Sequence, residues 1–131
     1  LAAHSSPSFH FYAGFSTASP ALTGMITALP VPPQKLIVTT DDGSDGEKGV
    51  VTDAIDAGAY AAVFSCGTTA MLKAVAAACC AIAGTPCFIS AENHMACGVG
   101  ACLGCAVKTA SGNKRCCADG PVFNAREVIF A

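Results

Sequence analysis

The chain has 131 residues, 53% hydrophobic and 12% charged, with a formal net charge of -2. That is enough apolar material for a packed domain and too little charge for a disordered one. A near-neutral balance with no basic run excludes an electrostatic footprint for nucleic acid or an acidic membrane surface, and no apolar run reaches the length of a bilayer span.

In chain order, residues 1–7 are small or polar and are expected to fray. Residues 8–14, Ser-Phe-His-Phe-Tyr-Ala-Gly, read as a buried strand ending in a glycine turn. Residues 15–29 are ambiguous, with helical content after Pro20, until Pro30, Pro32 and Pro33 stop any helix. Residues 35–40 form a β-branched, apolar strand, followed by a polar loop over 41–49 and a short helix over 50–57. Residues 59–66 are a third strand closed by Gly67. Thr68 or Thr69 can cap a helix running from 70 to about 83, with Gly84 as its C-cap and Pro86 beyond. Residues 86–90 are a fourth strand.

Strand and helix alternate with short connections, which predicts an α/β domain with parallel strands, right-handed crossovers and helices on both faces. Ligands of such sheets bind beyond the carboxyl ends of the strands, and the loops after Thr40 and Cys66 lie on that edge. After Ser90 this pattern stops and glycine and cysteine dominate. Two short strands over 105–109 and 114–117 flank the turn Ser111-Gly112-Asn113. Asp119-Gly120-Pro121 is another turn, and 127–130 a last strand. The expected division is therefore 1–90, a nucleotide-binding α/β part, and 91–131, a cysteine-rich part too small to hold itself together without a metal site.

Cys97, Cys102 and Cys105 give the spacing C-x4-C-x2-C, followed at a distance by Cys116 and Cys117. This is the spacing of plant-type [2Fe–2S] ligation, in which four thiolates hold two sulfide-bridged irons. Gly98, Gly100 and Gly104 let the backbone bend tightly around a bulky inorganic core. A structural zinc ion also takes four cysteines, but commonly through two C-x2-4-C knuckles. Adjacent residues on an extended segment point to opposite sides, so only one of Cys116 and Cys117 can reach the cluster. The total of nine cysteines is odd and residues at the start do not read as a secretory signal, so a reducing cytoplasm is expected.

Cys66 ends a strand and precedes Gly67 and a helix N-terminus. It reads either as a cysteine facing a bound nicotinamide, with Gly67 giving the dinucleotide room, or as a small buried hydrophobe. Asp41 and Asp42 stand where a ribose could be bound, although Asp-Gly-Ser is ordinary turn chemistry and no G-x-G-x-x-G is present. His94 and Glu92 read as loop residues, and Cys79, Cys80 and Cys87 as packing. No arrangement supporting hydrolysis is visible.

The stretch 92–107, with Met95-Ala96-Cys97-Gly98-Val99-Gly100-Ala101-Cys102-Leu103-Gly104-Cys105 at its centre, resembles the cluster loop of the electron-transfer subunits of dihydroorotate dehydrogenase B. Cys117-Ala118-Asp119-Gly120-Pro121-Val122-Phe123 is similar to the segment that carries the family's fourth ligand, which implies Cys117 rather than Cys116. Residues 40–53 and 66–75 resemble two further blocks. The resemblance implies a ferredoxin-reductase-like fold: an FAD-binding β-barrel, a nucleotide-binding α/β domain, then the cluster domain. It implies a [2Fe–2S] cluster here, with FAD and NAD in the full-length subunit. Electrons then pass between NAD, FAD, this cluster and an FMN-bearing catalytic subunit that oxidises dihydroorotate in pyrimidine synthesis.

Thr68 and Ala70 depart from the family's Cys-Gly-Pro-x-Pro-Met turn. The barrel and the first strand and glycine-rich turn of the nucleotide domain have no counterpart here, and the chain begins at Leu1 rather than Met, so a fragment inactive on its own is expected. The alternatives are a related ferredoxin, NADP or sulfide reductase subunit, and a zinc-stabilised binding module without redox chemistry.

Overall fold

A computed structural model describes residues 8–82 and 85–130. The expected fraying of residues 1–7 and the Gly84 cap lie outside them. The chain forms two compact units that part between Ile55 and Asp56.

In the first unit, β1 (His10–Phe15) and β2 (Lys35–Thr40) run parallel, paired from His10–Lys35 to Phe15–Thr40. A two-residue β3 (Glu47–Lys48) continues the sheet beside Thr39 and Thr40. The connection from β1 to β2 contains α1 (Pro20–Thr27), which resolves the ambiguous stretch. Pro20 opens that helix with a preset φ, and its missing N–H falls where the helix has no acceptor for one. Ala13, Thr39, Thr40 and Val51 are buried. A Cβ on Gly14 would stand 2.9 Å from that of Val51, so β1 passes close to the chain returning after the sheet.

The loop after β2 closes on itself. The Asp42 carboxylate accepts from the Ser44 N–H at 2.9 Å and from its hydroxyl, and the Thr40 hydroxyl donates to the Asp45 carbonyl at 2.7 Å. Asp42 is thus a turn residue, its acidity strengthened first by the Ser44 hydroxyl. The helix expected over 50–57 is instead a 3-10 turn at Val51–Ala54, and a second such turn, Ala57–Ala59, begins the other unit. Asp56 caps the latter by accepting from the Gly58 N–H at 3.1 Å. Glycine and β-branched residues at 50, 51, 52 and 58 weaken a longer helix, which is why only short turns form.

In the second unit, β4 (Val63–Cys66) runs parallel to β5 (Cys87–Ser90), joined through α2 (Thr69–Ala81). Thr68 caps α2, its hydroxyl accepting from the Met71 N–H at 3.4 Å. Leu72, Val75, Ala76 and Cys79 are the helix's buried residues, spaced as one face of an α-helix. Antiparallel β6 (Ala106–Thr109) and β7 (Gly112–Arg115) form a hairpin, and Cys116–Asp119 is one helical turn, α3. Then β8 (Val122–Asn124) pairs antiparallel with β5.

Two expectations are corrected. The second hairpin strand stops at Arg115, because the Asp119 carboxylate reaches back to the Arg115 N–H at 2.8 Å and turns the chain into α3. The last strand is β8, not 127–130, where Val128 makes only an isolated bridge to Thr109. In the second unit β8 lies in the same sheet as β4 and β5, so the cysteine-rich segment packs with the preceding βαβ motif. Its core is Ala91, Cys105, Cys116 and Phe123. Among the described residues no helix is long and apolar enough to cross a membrane.

Candidate metal centre

The loop carrying Cys97 and Cys102 has no regular secondary structure, and three left-handed residues shape it: Gly98 (φ 69°), Gly100 (φ 78°) and Leu103 (φ 59°). A chain folded this way turns several N–H groups inward. The Cys97 sulfur faces the N–H groups of Cys102, Val99 and Ala101 and the Cys102 thiol. These hydrogen bonds, led by the Cys102 N–H, lower its pKa to about 6, so Cys97 is a thiolate at neutral pH. The Cys102 sulfur in turn accepts from the Gly104 N–H at 3.4 Å.

The other two predicted ligands meet across the hairpin. The sulfurs of Cys105 and Cys117 are 3.4 Å apart. The Cys117 N–H lowers the Cys105 pKa, while the hydrogen bond to Cys105 raises that of Cys117. Of this pair, Cys105 is therefore the more readily ionised. The Gly100 N–H lowers the Cys117 pKa in opposition, and the charge of Cys97 is felt there too, so the two pairs are neighbours.

Cys116 differs in kind. It is 0% exposed, and burial raises its pKa. The two residues part because α3 aims one sulfur at the core and leaves the next half-buried beside Cys105, and not, as expected, because they alternate along a strand.

Among the described residues no three His, Cys, Asp or Glu side chains are placed to hold one metal ion between them. The cysteines stand instead as Cys97 with Cys102 and Cys105 with Cys117. Two pairs of thiols, one already ionised and surrounded by inward N–H groups, fit a two-iron core that takes two thiolates per iron. His94 is an exposed loop residue.

At the end of β4, Cys66 is exposed, and its thiol donates to the Glu92 Oε1 at 3.3 Å. That hydrogen bond is the main reason the Cys66 pKa is raised. A cleft of about 290 Å³ lies alongside, with Gly67, Thr69, Glu92, Asn93 and Lys108 in its wall. Glu92 is the residue that sequence reasoning left as a loop charge. Its place beside Cys66 depends on β5 running parallel to β4, which sets the two strand ends side by side.

The same segment is similar to known proteins. Residues 92–129 match the family described as the iron–sulfur cluster binding domain of dihydroorotate dehydrogenase B. The chain is 50% identical over 93 residues to the electron-transfer subunit of dihydroorotate dehydrogenase B (NAD(+)) from Clostridium perfringens, a match covering 71% of this chain and 37% of that one. It is 41% identical over 120 residues to the subunit from Clostridium acetobutylicum, covering 92% and 47%. A chain in the structure of the NADH-dependent reduced ferredoxin-NADP oxidoreductase, a flavin-based electron-bifurcating system, superposes with a TM-score of 0.66 at 26% identity, covering 95% of this chain and 57% of that one. The fold is thus of ferredoxin-reductase type, and the chain spans less than half the length of these two curated relatives.

Proposed function

We propose that this homologue of the electron-transfer subunits of dihydroorotate dehydrogenase B carries electrons between NAD and FAD on one side and an FMN-bearing catalytic subunit on the other, in pyrimidine synthesis. Cys97, Cys102, Cys105 and Cys117 would hold a [2Fe–2S] cluster. The cluster, when bound, accepts and releases single electrons, the currency needed between carriers that take two. The chain's residues supply four sulfurs, N–H donors that stabilise negative charge on them, and a buried neighbour, Cys116, that keeps the hairpin packed. The observation that carries this reading is the meeting of Cys105 and Cys117 within a segment matching the family's cluster domain.

Residues 1–90 then correspond to part of the NAD-binding domain and 91–131 to the cluster domain, a division supported by a family match that starts at residue 92. Cys66 and Gly67 face the nicotinamide, with Glu92 hydrogen-bonded to Cys66 in the same place. The setting is cytoplasmic. A second reading, a ferredoxin–NADP reductase subunit, draws on the structural neighbour and leaves the cluster assignment unchanged.

Anaerobic purification with iron and sulfide decides the central point. The expected product is brown, with about two irons and matching sulfide per chain. A colourless protein holding one zinc overturns the reading. Co-purification with a dihydroorotate dehydrogenase catalytic subunit, and not with ferredoxin, separates the two redox assignments.

A further inference from the structure

Arg115 precedes α3 and uses every face of its guanidinium. Its Nε donates to the Asp119 Oδ2 at 2.9 Å, its Nη2 to the Asp119 Oδ1 at 3.1 Å, and its Nη1 to the Gly100 carbonyl at 3.2 Å. Asp119 also accepts from the Arg115 N–H, so the carboxylate holds both the main chain and the side chain of one residue. Arg115 thereby spans two pieces of backbone: the helical turn carrying Cys117 and the loop carrying Cys97 and Cys102.

Gly100 is where they meet. Its N–H acts on the Cys117 sulfur and its carbonyl accepts from Arg115. A Cβ there would stand 3.0 Å from that of Ala118 and 3.1 Å from the Arg115 Nη1, so the loop lies flat against α3 and its side-chain strap. We infer that Arg115 is a positioning residue for the cluster: it fastens the fourth-ligand turn to the three-cysteine loop and keeps a positive charge beside the Cys105–Cys117 pair. This rests on the proposed ligand set and adds a role that cysteine spacing does not contain.

The two parts of the inference have different consequences. A planar fork that contacts Asp119 and Gly100 together has no equivalent in lysine, whose ammonium is a point charge on a flexible stem. The clamp therefore needs arginine. The charge needs only a cation. Reduction of a cluster adds negative charge, so a nearby cation favours the reduced state and an unpaired carboxylate disfavours it.

The test uses the chain reconstituted with iron and sulfide, and follows two readouts: the rate of iron loss to a chelator, and the midpoint potential from a redox titration followed by electron paramagnetic resonance. Arg115→Gln is expected to lose iron severalfold faster and to shift to a more negative potential. Arg115→Lys keeps the potential near that of the parent but still loses iron faster. The double variant Arg115→Gln/Asp119→Asn restores the local charge balance, so its potential returns toward the parent while iron loss stays fast. In the apo chain, Arg115→Gln should also raise amide hydrogen exchange over residues 97–102. Parent-like iron loss and potential in Arg115→Gln overturn the inference, as does an Arg115→Lys variant that matches the parent in both. A parent chain that takes up no iron and sulfide overturns the cluster reading itself. The exchange measurement then still judges the clamp, and parent-like exchange overturns that too.

Discussion

The Cys105 sulfur lies 3.4 Å from that of Cys117, while Cys116, the next residue back, is fully buried in the core with Ala91 and Phe123. Cys117→Ser should abolish cluster binding, read as loss of visible absorbance and iron. Cys116→Ser should retain the cluster but place a hydroxyl in an apolar site, at a cost of about 1–3 kcal/mol in stability, measured by denaturant unfolding. Iron retained by the first variant and lost by the second would reverse the assignment.

Glu92 sets the acidity of Cys66, because its carboxylate accepts from the thiol and so favours the protonated form. Glu92→Gln removes that charge. Cys66 should then ionise at lower pH and react faster with iodoacetamide at about pH 8, since the thiolate is the reactive form. Peptide-resolved mass spectrometry reads Cys66 apart from the other cysteines. An unchanged alkylation profile would mean that the pair does not persist in solution.

Burial pushes the Cys87 thiol up to about 12 from its ordinary 9.0, with Cys79 adding to the rise. Between those two values the folded chain keeps a proton that the unfolded chain has released, so raising the pH draws the equilibrium toward unfolding. The contribution of this thiol is intact below pH 9.0 and disappears as the pH passes about 12. Stability measured from unfolding midpoints should decline through that window. Cys87→Ala, although weaker overall from lost packing, should show a shallower decline.

Two glycines should respond oppositely to alanine. Gly46 has φ 64°, and a Cβ there would stand 2.1 Å from the Val38 carbonyl oxygen. Gly46→Ala should cost about 1–3 kcal/mol or more, through both strain and collision. Gly24 lies exposed within α1 with nothing within 4 Å of an added Cβ. Gly24→Ala should stabilise the fold by about 0.5–1 kcal/mol, the ordinary helical preference. Unfolding of the two variants side by side checks the contrast.

Much of this molecule is legible along the chain because its signals are local. β-branched, apolar residues mark β2 at Lys35–Thr40 with the bounds it has in the structure. Thr68, one of the two candidate caps, announces α2. The prolines after Leu29 explain where α1 cannot continue. C-x4-C-x2-C points to a metal core because three thiols on a glycine-rich loop have few other uses.

What stayed hidden depends on side chains far apart in sequence. Composition changes at residue 90, yet β8 returns to β5 and packs the two segments into one unit, since a short cysteine-rich segment buries its few apolar residues best against an existing sheet. A strand reading of 114–117 misses that Asp119 captures the Arg115 N–H and begins a helical turn. The same contact decides which way each of two adjacent cysteines faces. Sequence alone determined the βα order and the glycine-rich loop that spaces Cys97, Cys102 and Cys105. Only the tertiary structure decided that Cys117 stands against Cys105 while Cys116 fills the core, and that Glu92 reaches Cys66, because each depends on where separate backbone segments come to rest.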